Sequence, residues 1–137
     1  MARLLAIDYG TKRTGIAVTD PLQLIASGLT TVGTHDLFRF LNDYFLTETV
    51  EKIIVGEPKQ KDGTHSAVEV DILGFIKKFK KKFPSMPVER ADERFTSKMA
   101  FKTMIATGVP KKKRRDKALV DKISATLILQ GYLKYRA

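Results

Sequence analysis

The sequence predicts an α/β domain with a mixed, five-stranded sheet, three antiparallel strands followed by parallel ones, flanked by helices. Three observations lead there. Three short strand-like segments open the chain with only turns between them, as antiparallel neighbours do. Two later apolar runs, Lys52-Ile53-Ile54-Val55-Gly56 and Val88 to Ala91, are instead set apart by segments of helical spacing, as parallel strands covered on both faces are. Finally, 137 residues of which 43% are hydrophobic suit one domain over residues 1–137 with a substantial core.

Taken in order, Arg3 to Asp8 reads as a strand apolar on both faces, and Thr14 to Thr19 as its antiparallel partner across a short glycine-containing turn. Asp20-Pro21 ends this hairpin, and the β-branched stretch Ser27 to Val32 is the third strand. Thr34 is expected to cap a helix in which Leu37, Phe38, Leu41, Tyr44 and Phe45 form the apolar face and Asp36, Arg39, Asn42 and Asp43 the wet one. After the strand ending at Gly56-Glu57-Pro58, a polar loop runs through Asp62-Gly63, which reads as a turn before a helix from Thr64. That helix sets Ile72, Phe75, Ile76, Phe79 and Phe83 against the core and turns five lysines between Lys77 and Lys82 to solvent, a solvated face rather than a binding site. The strand Val88 to Ala91 leads into Asp92-Glu93-Arg94. A helix capped by Thr96 or Ser97 runs to about Thr107, where Gly108-Val109-Pro110 stops it, and a long helix follows over about Lys117 to Tyr135. There is no internal repeat and no low-complexity segment.

Composition narrows the chemistry. With no cysteine there is neither a disulfide framework nor a cysteine zinc site, and His35 and His65 are too few for a histidine cage, so any metal is held by oxygen. No apolar stretch approaches the roughly 20 residues of a membrane span, and Met1-Ala2-Arg3 runs straight into the first strand, so a cytoplasmic protein is expected. A net charge of +10 favours polyanionic partners, nucleic acid foremost.

Against this basic background the acids at element ends stand out. Asp8 closes a buried strand, where an isolated carboxylate is costly unless paired, protonated or bound to a metal. Asp92 and Glu93 close another, and Asp121 lies near the start of the last helix with Ala125, Ile128 and Tyr132 on the same face. Open α/β sheets bind ligands beyond the carboxyl ends of their strands, so these acids can converge there. Mutual repulsion is relieved either by Lys or Arg partners or by Mg²⁺ or Mn²⁺, which take oxygen ligands. Two such ions about 3.5 to 4 Å apart serve phosphodiester hydrolysis. Spacing does not choose between Asp92 and Glu93.

Four stretches, in this order, run along essentially the whole chain: Asp8-Tyr9-Gly10-Thr11-Lys12-Arg13-Thr14-Gly15-Ile16-Ala17-Val18; Gly56-Glu57-Pro58 with Asp62-Gly63-Thr64; Asp92-Glu93-Arg94-Phe95-Thr96-Ser97; and Asp121-Lys122-Ile123-Ser124-Ala125 leading to Ile128-Leu129-Gln130. Together they resemble the YqgF family, also called RuvX. The resemblance implies a ribonuclease H-like fold related to the RuvC resolvase and a metal-dependent nuclease acting on structured nucleic acid. Processing of the 5′ end of the small-subunit rRNA precursor is its favoured task, with Holliday junction resolution the older proposal. Carried over by motif, Asp8, Glu93 and Asp121 are the metal-binding, catalytic acids. Thr14 and Ser124 depart from the family pattern, where a branched apolar residue and an alanine are common.

Among the basic residues, Lys12 and Arg13 on the hairpin turn are expected to contact backbone phosphate. Arg94 either positions a phosphate or neutralises the acids. The run Lys111, Lys112, Lys113, Arg114 and Arg115, just ahead of the helix bearing Asp121, reads as an arm that grips nucleic acid. Two other classes compete: an ATP-binding domain, since Asp8 to Gly15 also resembles the phosphate loop of actin-like ATPases, and a non-catalytic module binding RNA or the transcription machinery. The first needs two domains closing over the nucleotide, and this chain has room for one. A monomer suffices for trimming one strand, whereas junction resolution calls for a homodimer.

Overall fold

The computed structural model describes residues 2–58, 66–92 and 116–135. Strands β1 (Arg3–Asp8), β2 (Arg13–Thr19), β3 (Ala26–Gly33), β4 (Val50–Glu57) and β5 (Val88–Asp92) form one sheet in the order β3-β2-β1-β4-β5. β1 pairs antiparallel with β2, and β2 with β3, whereas β4 runs parallel to β1 and β5 parallel to β4. This is the mixed sheet expected from the sequence. The carboxyl ends of β1, β4 and β5 therefore share one edge, with Asp8 ending β1 and Asp92 ending β5.

Helices α1 (Leu37–Thr47) and α2 (Glu69–Lys82) cover one face of the sheet, and α3 (Lys117–Tyr135) covers the other. Successive strand residues point to opposite faces, so β1 sends Leu5 and Ile7 to the α1/α2 side and Leu4 and Ala6 to the α3 side. The two layers differ in grain. On the first, Ile16, Val18, Ile53 and Val55 meet Leu41, Ile72, Phe75 and Phe79, each burial of a large side chain contributing roughly 1.5–3 kcal/mol. On the second, the alanines Ala6, Ala17, Ala26 and Ala125 are interleaved with Leu4, Ile54, Ile128 and Leu129, so parts of the helix lie closer to the sheet.

Two expectations about helix starts are corrected. Thr34 does not cap α1 with its side chain; it opens a 3-10 turn, Thr34–Asp36, and its Oγ1 donates to Gly10 O at 2.6 Å and pairs with Thr14 Oγ1 at 2.9 Å. A hydroxyl in reach of a turn carbonyl and a buried partner finds better hydrogen bonds there than at the helix end. The second helix begins at Glu69 rather than Thr64, because residues 66–68 form a turn held by Glu69 N–H donating to Ser66 O. The expected helix from Thr96 to Thr107, the turn at Asp62-Gly63, Glu93, Arg94 and Lys111 to Arg115 lie outside the described residues. Among those described, no helix is long and apolar enough to cross a membrane.

Candidate active site

The carboxyl edge of β1 is where the functional candidates meet. Asp8 stands opposite Gly15 in the β1–β2 ladder. Gly15 in turn lies against the backbone of Asp121: a Cβ on Gly15 would sit 2.0 Å from the Asp121 carbonyl oxygen and 2.4 Å from its carbonyl carbon. One glycine without a side chain thus lets a strand and a helix touch backbone to backbone, and sets Asp121 next to the strand position that faces Asp8. Both acids are half-buried.

The helix is fastened at this end. Asp116 caps it, its Oδ1 accepting from Ala118 N–H at 3.0 Å, which satisfies one of the open donors of the first turn. Thr31 Oγ1 on β3 donates to Ala118 O at 2.6 Å. Gly28, also on β3, faces the Lys122 and Thr126 side chains. Asp121 therefore projects from a helix start anchored to two strands.

Arg13, the first residue of β2, places its Nε 2.8 Å from Asp121 Oδ2. The N–H does not point at that oxygen, and the buried Nε lacks an aligned acceptor, so the contact is an ion pair more than a hydrogen bond. Burial nonetheless dominates Asp121: desolvation pushes its carboxyl above the ordinary range, against the pull of the Arg13 and Lys117 charges. A cavity of about 330 Å³ opens beside it, lined by Gly10, Thr11, Lys12, Arg13, Lys117 and Asp121. The turn is tight enough that a Cβ on Gly10 would lie 2.4 Å from Arg13 O.

A profile of the RuvX family, described as Holliday junction resolvase, matches residues 2–135. The chain belongs to the RuvX family. It is 67% identical over 133 residues to a protein of Christiangramia forsetii and 60% identical over 133 residues to one of Flavobacterium psychrophilum, both named "Putative pre-16S rRNA nuclease". These alignments cover 97% of this chain and 98% and 97% of the two relatives. Its fold is similar to that of Thermus thermophilus RuvC in complex with a Holliday junction substrate, with a TM-score of 0.55 at 20% identity over 98% of this chain and 96% of that one. The ribonuclease H-like class follows from the likeness to RuvC; at that identity nothing further does.

Of the three acids expected from the RuvX motifs, the structure brings Asp8 and Asp121 to one edge. The described chain leaves β5 at Asp92, paired with Glu57 of β4, at that same edge and one residue before Glu93. Among the described residues no three His, Cys, Asp or Glu side chains form a metal-sized group. Lys12 is exposed at the cavity and Arg13 is engaged with Asp121.

Sequence reasoning missed two features of this RuvX chain. Lys117 shares the cavity, and its spacing of four residues before Asp121 on a helix was a usable signal. The other is a buried ion pair at the β4 and β5 ends. Arg90 Nη2 and Nη1 donate to Glu69 Oε1 and Oε2 at 2.7 and 3.0 Å, and Arg90 also donates to Val55 O and Gly56 O. Glu69 is 5% exposed, and no local pattern in the sequence pairs it with a residue 21 positions away.

Proposed function

We propose that this chain is a divalent-metal-dependent endonuclease that hydrolyses phosphodiester bonds in structured nucleic acid, working in the cytoplasm on the 5′ end of pre-16S rRNA. The observation that carries this reading is the approach of Asp8 and Asp121 through Gly15 beside a cavity whose other charged residues, among those described, are Lys12, Arg13 and Lys117. The names of the close relatives support the substrate.

In this reading Asp8, Glu93 and Asp121 hold Mg²⁺ or Mn²⁺. The donor set fits: it is all oxygen, which hard cations require, and Asp121 is an acid held where burial opposes its charge, a cost that a cation offsets. The bound ion would supply activation of the attacking water and stabilisation of the leaving oxygen. The residues of the chain do the positioning. Arg13 orients Asp121 and spreads its charge. Lys12 and Lys117, both lining the cavity, take phosphate oxygens near the cleaved bond, with Arg94 and Lys111 to Arg115 extending that contact along the backbone.

The test is cleavage of end-labelled RNA carrying the 5′ extension of 16S rRNA, and of a four-way DNA junction, with Mg²⁺ or Mn²⁺. Wild type is expected to cut the RNA, and Asp8→Asn and Asp121→Asn to lose cleavage while still binding. Cutting of the junction alone, by a dimer, would move the reading to junction resolution, which needs two symmetric cuts. RNA binding with no cleavage above that of Asp8→Asn would make the chain a binding module.

A further inference from the structure

A second, larger cavity of about 510 Å³ opens on the α1/α2 side of the same hairpin turn, within the size range of small-molecule sites. Its wall is aromatic. The partly exposed rings of Tyr9 and Phe38 face the cavity, backed by the buried Phe75 at 5.3 and 5.2 Å between centroids. α2 supplies a stripe at helical spacing, Asp71, Gly74, Phe75 and Lys78, that puts a carboxylate and an ammonium at the edge of this wall. Neither Asp71 nor Lys78 is engaged in an ion pair among the described residues.

Gly74 sits in the middle of α2, where glycine costs a helix stability, and a Cβ there would meet nothing within 4 Å. No packing against the described residues calls for glycine at this position. What its absent side chain leaves open is the cavity itself.

Thr11 lines both this cavity and the one beside Asp121. The two are therefore neighbours across one turn residue. A strand whose phosphate lies against Lys12 and Lys117 would have an adjacent base within reach of the aromatic wall.

We propose that the cavity walled by Tyr9, Phe38 and Phe75 receives one unstacked base of a bound nucleic-acid strand. The ring stacks on the aromatic wall, Asp71 accepts from an N–H of the base edge, and Lys78 meets the flanking phosphate. The path of the strand rests on the nuclease reading, but the base pocket is testable without any cleavage.

The measurement compares binding of pentaadenylate with binding of an abasic sugar-phosphate pentamer of the same charge, in EDTA. Wild type is expected to bind pentaadenylate about ten-fold more tightly, the order of one aromatic–base stack. Gly74→Leu, which fills the cavity and is a better helix former, should bind both pentamers as wild type binds the abasic one, with an unchanged or higher Tm. Phe38→Leu, which keeps apolar packing but removes a ring, should lose most of the difference. Equal binding of the two pentamers by wild type, or an undiminished preference in Gly74→Leu, would overturn the base pocket while leaving the nuclease reading intact. No binding of either pentamer would count against both.

Discussion

Replacing Gly15 by alanine tests the backbone contact on which the candidate site depends. The added Cβ would lie 2.0 Å from Asp121 O, 2.4 Å from its carbon and 3.0 Å from Lys122 N, all backbone atoms of a helix that is tied to β3 and capped by Asp116. Ordinary contact requires the helix to retreat by about 1.4 Å, and no side-chain rotation can supply that. Overpacking of this kind costs about 1–3 kcal/mol, and the retreat exceeds the ~1 Å misplacement that lowers rates by about 10²-fold. Gly28→Ala is the matched control. Its Cβ would meet Lys122 Cγ at 2.8 Å and Thr126 Oγ1 at 3.0 Å, side-chain atoms that rotation about χ1 can move at the expense of the Thr126 hydrogen bond to Lys122 O, so a loss of about 1 kcal/mol that leaves the helix backbone in place is expected. Urea denaturation gives the two stabilities, and cleavage of labelled precursor RNA by each folded variant gives the activities. A Gly15→Ala protein as stable and as active as Gly28→Ala would refute the claim that α3 is positioned through this glycine.

Three further outcomes are expected. Glu69→Ala leaves Arg90 as a mostly buried, unpaired charge and should cost about 3–5 kcal/mol in denaturant unfolding, whereas Glu69→Ala with Arg90→Met should recover much of that loss. Ser124 is 2% exposed with no hydrogen-bond partner for its Oγ among the described residues, so Ser124→Ala should stabilise the protein by about 1 kcal/mol, read as a raised denaturation midpoint. Asp20 holds the β2–β3 loop by accepting from Leu22, Leu24 and Ile25 N–H groups, which keep its carboxyl below the ordinary 3.8. With the folded value below the unfolded one, this contribution is present above about pH 3.8 and fades as pH falls through the folded value. The Tm gap between wild type and Asp20→Asn should therefore be open at pH 7 and close in strong acid; a constant gap would show that the charge of Asp20 does not matter.

How far the structure was legible in the sequence depended on the range of the interaction. Strands β1 and β4, whose apolar residues face a layer on each side, and α3, with its long apolar pattern, were readable because burial periodicity is local. The end of β1 at Asp8 was readable for the same reason, as a charge closing an apolar run. Thr34 misled because it stands where a capping residue would, and only the folded hairpin brings Gly10 O and Thr14 Oγ1 close enough to claim its hydroxyl. The Arg13–Asp121 pair and the Glu69–Arg90 pair span 108 and 21 positions, and nothing in residue spacing announces a contact closed by the sheet. The family motifs pointed to Asp8 and Asp121 together. Only the ladder and the Gly15 contact give the physical means by which they meet.

The two faces of the sheet divide stability from positioning. On the α1/α2 face, large side chains such as Leu5, Ile7, Ile53 and Phe79 keep the helices at a distance set by their own bulk, so losing one methyl group there costs burial without moving the carboxyl edge. On the α3 face, Ala6, Ala17, Ala26 and Ala125, with Gly15 and Gly28, give up apolar area in exchange for close approach. A helix seated on backbone has little freedom to shift, and the tightest point of that seating, against Gly15, is the Asp121 backbone itself. Substitutions on the first face should therefore move stability and activity together only when the protein begins to unfold. Enlargements on the second that press on the α3 backbone, as at Gly15, should impair the edge that carries Asp8 and Asp121 in a protein that is still folded.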